Sequence, residues 1–300
     1  MKEAGFNAFP VLINAGSQRD REVPIPYFNH AVIAIDEGER NYRLMDPTDD
    51  TARAELPAYL SDCTYLVTRP EGETLLVTPV PNPADHTTTV KTDAVLDKSG
   101  NLELSSTLRF DGINDNVYRS VFVKSTPEVL RERMDGMVKR VLPGAELTGI
   151  SYTPENPKDI TQPLVLTLTA RVADYAVPNN EGHTLVKLPY FSRVFGMVNF
   201  LFEGLEQPER KYDWVISSPC AVRETLTLRG FNSLGEAQVL PQDPILKQEL
   251  FDLEAFGKKV KVIFLKENFK NQLILFLKEL LDKSPINTLY FFIDIQGYEE

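Results

Sequence analysis

Few side chains in this 300-residue sequence combine the types and the spacing that chemistry needs. Its histidines are His30, His86 and His183, and its cysteines are Cys63 and Cys220. Of these, His30 has the most informative surroundings. It stands near the start of the apolar strand Tyr27-Phe28-Asn29-His30-Ala31-Val32-Ile33-Ala34-Ile35. A polar turn follows at Asp36-Glu37-Gly38-Glu39-Arg40, and Tyr42-Arg43-Leu44-Met45 then leads into Asp46-Pro47-Thr48. Two apolar strands joined by a short turn pair antiparallel. That pairing brings the start of the first strand beside the end of the second and puts His30 next to Asp46. A carboxylate that accepts from one imidazole nitrogen fixes the tautomer, leaving the other nitrogen to take a proton from a thiol or hydroxyl. A structural hydrogen bond is the competing reading of such a pair, and Asp-Pro-Thr is also a common turn.

A thiol for this pair is hard to find. Cys63 stands in Ser61-Asp62-Cys63-Thr64-Tyr65-Leu66-Val67, a strand entered from a turn, with no helix N-terminus to lower its pKa. It reads as a buried, inert cysteine. Cys220, in Ser218-Pro219-Cys220, lies far along the chain and is a weaker candidate. The two cysteines form no CxxC or Cys/His ligand spacing, so neither a zinc site nor a disulfide framework is expected, and no cofactor is expected. So few cysteines fit the cytosol, and they also fit a periplasmic protein without disulfides.

The elements that must position His30 and Asp46 begin at the N-terminus. Lys2-Glu3-Ala4-Gly5 reads as the last turn of a helix ended by glycine, and Phe9-Pro10-Val11-Leu12-Ile13 as a buried strand. A single helical turn needs a partner, so the segment reads as the interior of a domain whose earlier part precedes residue 1. A short terminal turn before an edge strand is the alternative. After Asp46, Tyr65-Leu66-Val67 and Thr74-Leu75-Leu76-Val77 read as two further strands, and Pro79-Val80-Pro81-Asn82-Pro83 as a linker between domains.

The strings EAGFNAFPVLIN, FNHAVIAI and YRLMDPT together resemble the back half of the transglutaminase-like, papain-like cysteine hydrolase core. They are similar in particular to bacterial multidomain proteins in which a β-rich domain follows that core. The resemblance covers most of the chain, strongest over residues 1–110. It implies that His30 is the base and Asp46 its orienter. The nucleophilic cysteine would lie on a helix upstream of the EAG segment, and its absence here implies that the chain alone is inactive. A protein or peptide substrate and a periplasmic or cell-envelope location are also implied only by the resemblance.

Beyond the linker the pattern is rich in strands. Residues 87–96 and 102–110 flank Asp97-Lys98-Ser99-Gly100-Asn101, good hairpin chemistry. Apolar spacings of three and four then predict two helices near 114–141. Thr126-Pro127 gives a cap and first-turn proline for the second, and Pro143-Gly144 its end. Strands resume over 147–152, 164–172, 184–188, 212–216 and 222–228. Phe191 to Phe202 reads either as a buried strand pair or as an exposed patch that binds a partner. His86 is expected on the solvent side of an opening strand, His183 in an exposed loop, and Trp214 in the core. In the tail, a hairpin over 260–265 and 273–280 and a short helix near 289–295 are expected by resemblance. The periodicity of 269–281 alone favours a helix.

The expected class is therefore α+β. By the resemblance, residues 1–78 are expected to be the antiparallel remnant of a transglutaminase-like core, and residues 79–300 a mainly antiparallel, sandwich-like domain with an inserted helical pair. A non-catalytic binding or structural module is the alternative function. A formal charge of −11 disfavours nucleic acid as a partner, because phosphate neutralisation needs clustered cations. No apolar run reaches the roughly 20 residues of a spanning helix, so no transmembrane segment is expected.

Overall fold

A computed structural model describes residues 3, 5–16, 28–178, 184–201, 218–230 and 291–294. Its first sheet is built from β1 (Ala8–Ile13), β2 (His30–Asp36), β3 (Tyr42–Met45), β4 (Thr64–Val67) and β5 (Leu76–Val77), in the order β3-β2-β1-β4-β5. Every pairing is antiparallel. Alternation along the strands puts Val11, Ile13, Val32, Ala34, Leu44, Tyr65 and Val67 on one face, where they close over Leu60 and Cys63 as a small core.

The second sheet takes β6 (Thr87–Leu96), β7 (Leu102–Phe110), β8 (Glu146–Thr153), β9 (Val165–Val172), β12 (Ala221–Arg229) and β13 (Phe291–Asp294), ordered β13-β12-β6-β7-β9-β8. A separate two-stranded piece joins β10 (Val177–Pro178) to β11 (Thr184–Leu185). The expected hairpin is present: Asp97 Oδ1 accepts from the backbone N–H groups of Ser99 and Asn101 across the β6–β7 turn. The expected helices are α1 (Ile113–Lys124) and α2 (Pro127–Val141), and Thr126 caps α2 by accepting from Val129 N–H at 3.4 Å. Leu130, Met134, Met137, Val138 and Val141 of α2 share one core with Tyr118 and Phe122 of α1 and with the apolar face of the sheet. Each fully buried leucine or phenylalanine there contributes about 1.5–3 kcal/mol.

The broad expectation of a β-rich protein with few helices holds, and five details differ. The larger unit is one sheet with helices on a single face, not a sandwich of two sheets among the described residues. It is also mixed, because β12 runs parallel to both β6 and β13. Alternation reports which face is buried but not strand direction, so the sequence carried no signal for this. Residues 291–294 form a strand where a helix was expected.

The run from Phe191 is buried, though not as strands. Phe191, Phe195 and Val198 recur at spacings of four and three, and they pack from a 3-10 turn (Phe191–Arg193) and the short α3 (Val198–Leu201). Phe200, in contrast, is exposed.

His86 is the fifth correction. It is buried at the end of a 3-10 turn (Pro83–His86), and its Nδ1 accepts from Ile113 N–H at 2.9 Å, capping α1. Gly112, the residue before α1, has φ +59 and ψ −126, and a Cβ there would stand 2.1 Å from His86 Nδ1. The helix start therefore has no room for a capping side chain of its own, and His86 serves instead. His183, Trp214, the strand expected over 212–216 and the hairpin expected in the tail lie outside the described residues.

The two sheets meet through the loop that follows β3. Asn116 of α1 donates to Asp49 Oδ2 at 2.7 Å and to Thr51 Oγ1 at 3.1 Å, and Arg53 Nε donates to Ile160 O at 3.0 Å. Ala58 of this loop is buried with Ile113, Val198, Cys220 and Val222 of the larger unit.

Candidate active site

The β2–β3 register explains why His30 and Asp46 meet. Ile33 lies opposite Met45, so one further residue sets Asp46 opposite Val32. His30 is two positions along from Val32 and shares its face, a diagonal neighbour within reach of a side chain. The contact is made: His30 Nε2 lies 2.9 Å from Asp46 Oδ2. The Asp46 side chain is fully buried, whereas that of His30 is 25% exposed.

Asp46 is held from every side. Its Oδ1 accepts from Thr48 N–H at 3.0 Å and Thr48 Oγ1 at 2.7 Å, its Oδ2 also accepts from Tyr59 Oη at 2.9 Å, and its own N–H donates to Glu55 O. Burial alone pushes the Asp46 carboxyl up. The hydrogen bonds from Thr48, His30 and Tyr59 more than reverse this and hold it below its ordinary value of 3.8. Tyr59 moves the other way. Burial first, then its bond to the Asp46 carboxylate, pushes the phenol up to about 12, so Tyr59 stays a donor across the physiological range.

With Asp46 ionised, Nε2 carries the hydrogen, and Nδ1 is the acceptor of the neutral imidazole. No hydrogen-bond partner for Nδ1 is found among the described residues. Among the described residues the pair thus holds an oriented imidazole with one nitrogen unengaged on a partly exposed ring, an arrangement chemically able to accept a proton from a thiol or hydroxyl.

Neither cysteine is placed to be that thiol. Cys63 is 1% exposed, its Sγ donates to Ser61 O at 3.2 Å, and it belongs to the core of the first sheet. Cys220 is buried among apolar side chains where the units meet, and burial pushes its thiol up to about 12. A buried thiol with a raised pKa is a poor nucleophile. Among the described residues no group of three or more His, Cys, Asp or Glu side chains could hold a metal ion, and no helix is long and apolar enough to cross a membrane.

Tyr59 and Asp49 are the members of this neighbourhood that the motif did not reveal. Asp49 repeats the pattern of Asp46, accepting from Thr51 N–H and Oγ1 at 2.9 and 2.7 Å. The signal was present in Asp46-Pro47-Thr48-Asp49-Asp50-Thr51, where two Asp-x-Thr units follow each other and each closes an Asx turn. Tyr59 had no such signal, because its bond to Asp46 depends on how residues 52–58 fold back. Compared with known proteins, the chain matches no protein-family model, no curated protein and no solved structure.

Proposed function

We propose that His30 and Asp46 are the base and the orienting carboxylate of a transglutaminase-like cysteine hydrolase or acyltransferase acting on peptide or carboxamide bonds. The observation that carries this reading is the asymmetry of the His30 ring: Nε2 is tied to a buried carboxylate at 2.9 Å, and Nδ1 has no partner among the described residues. In the reaction a thiol gives its proton to Nδ1 and attacks the carbonyl carbon. The amine leaves with a proton returned by His30, and water or a second amine then resolves the thioester. The reading requires a cysteine outside these 300 residues, because Cys63 and Cys220 are both buried. The resemblance of the EAGFNAFPVLIN, FNHAVIAI and YRLMDPT strings supports that requirement, and with it a protein or peptide substrate and a periplasmic or cell-envelope location.

The test is to express the coding sequence together with the reading frame upstream of residue 1 and to follow amine or ammonia release from carboxamide peptides. Iodoacetamide-sensitive turnover that His30→Ala abolishes is the expected result. Turnover that survives His30→Ala, or an upstream frame with no cysteine, overturns the proposal. The burial of both cysteines favours one second reading, a non-catalytic binding or structural module in which the His30–Asp46 contact only fastens β2 to the loop after β3.

A further inference from the structure

Tyr59 occupies an unusual position between the two units. Its hydroxyl donates to Asp46 Oδ2, and its ring packs on the core of the first sheet around Leu60 and Cys63. Tyr59 also packs on the cluster that Ala58, its neighbour in the loop, forms with Ile113, Val198, Cys220 and Val222 of the larger unit. The loop between Asp46 and Tyr59 is fastened to that unit a second time, where Asn116 of α1 donates to Asp49 and Thr51. α1 therefore meets the loop twice, through Asn116 at Asp49 and Thr51 and through Ile113, which is buried in one cluster with Ala58 and has the partly buried Val117 packed against it.

We infer that the larger unit is a positioning element for the His30–Asp46 pair, acting through α1 and the hydroxyl of Tyr59. Tyr59 touches no reacting atom in this scheme. It donates to Oδ2 of Asp46, the same oxygen that meets Nε2 of His30, and so favours the ionised carboxylate in that orientation. A loop without the α1 supports releases Tyr59, and the carboxylate then keeps only Thr48 and His30. The significance for catalysis rests on the function proposed above, but the coupling itself belongs to this chain and is measurable without turnover.

The readout is the titration of the Asp46 carboxyl in the full chain, followed by carbon NMR. The titratable groups facing Asp46 are His30 on β2 and Asp49 and Tyr59 on its own loop. Tyr59→Phe removes one donor to the carboxylate and is expected to raise the midpoint by about half a pH unit or more. Asn116→Ala and Val117→Ser, which touch neither His30 nor Asp46, are expected to move it in the same direction. Backbone amide spectra verify that each variant is folded, and the two α1 variants guard against one of them failing to fold. A midpoint that moves in Tyr59→Phe but stays at the wild-type value in both folded α1 variants overturns the positioning role and leaves α1 as scaffold. A midpoint unmoved in Tyr59→Phe overturns it too. Because no activity is measured, these outcomes are separate from failure of the cysteine hydrolase reading, which the upstream-frame assay decides.

Discussion

Two buried ionic groups sit on neighbouring parts of this molecule and end differently. Arg119 of α1 is fully buried and uses all five of its N–H donors. Nε and one Nη2 hydrogen go to the two oxygens of Asp115, and the remaining three go to the carbonyls of Pro157, Asp159 and Gln162. Asp115 in turn accepts from Leu164 N–H at 2.7 Å. The His30–Asp46 pair uses every acceptor position on its carboxylate and leaves one ring nitrogen without a partner among the described residues. A closed network fixes structure, here pinning the loop before β9 onto α1. An open one retains a capacity to react. The difference lies not in burial of the carboxylate, which is shared, but in whether the last valence is filled.

The largest effect that can test this contrast is on the closed side. Arg119→Ala strands the Asp115 carboxylate and three loop carbonyls in the interior, and is expected to cost about 3–5 kcal/mol in urea unfolding. A loss below about 1 kcal/mol would break the comparison. Next, Gly112→Ala must place a Cβ where His86 Nδ1 stands and hold a backbone conformation that only glycine adopts easily. It is expected to cost about 2 kcal/mol, read from the same unfolding curves.

His86 gives a third, smaller effect that depends on pH. It must be neutral to accept from Ile113 N–H, and burial lowers its pKa below 6.5. The folded chain therefore binds this proton less readily than the unfolded chain. The stabilisation is complete above about pH 6.5 and declines as pH falls from there to the folded value. His86→Asn keeps an acceptor without a titration, so its stability should fall less steeply than that of the wild type as pH drops below about 6.5, read from urea unfolding at a series of pH values. The smallest effect is His30→Ala. Asp46 keeps its bonds from Thr48 and Tyr59, so the expected loss is about 1 kcal/mol or less, even where the same substitution abolishes turnover. A loss as large as that of Arg119→Ala would place His30 among the structural groups and favour the non-catalytic module.

Much of this arrangement was legible in the sequence. Alternation and a polar turn put His30 beside Asp46, the Asp97–Asn101 turn announced its hairpin, and Thr126-Pro127 marked the start of α2. Local chemistry decides such features. Other features depend on groups far apart in sequence and left no local trace. His86 caps a helix 27 residues downstream, Tyr59 reaches Asp46 only after the loop turns back, and Arg119 serves carbonyls some 40 residues away. The Asp115–Arg119 spacing of four suits an exposed helix pair as well as a buried one, so burial had to be seen. The parallel docking of β12 on β6 belongs with these, because no turn joins the two strands and alternation is blind to direction.

That docking bears on the order in which the chain assembles. The first sheet closes through pairings of modest sequence separation, such as β2 with β3, and β6 pairs with β7 across a five-residue turn. The pairing of Val222 with Thr88 instead spans most of the larger unit, and contacts so distant in sequence form slowly because chain entropy must be surrendered before they reward it. Val222 also belongs to the buried cluster against which Tyr59 packs. The pocket that seats Tyr59 is therefore complete only when one of the slowest contacts has formed, and the His–Asp pair acquires its full set of restraints at the end of folding. A nascent or partly unfolded chain would hold the histidine and the aspartate without yet holding them in register.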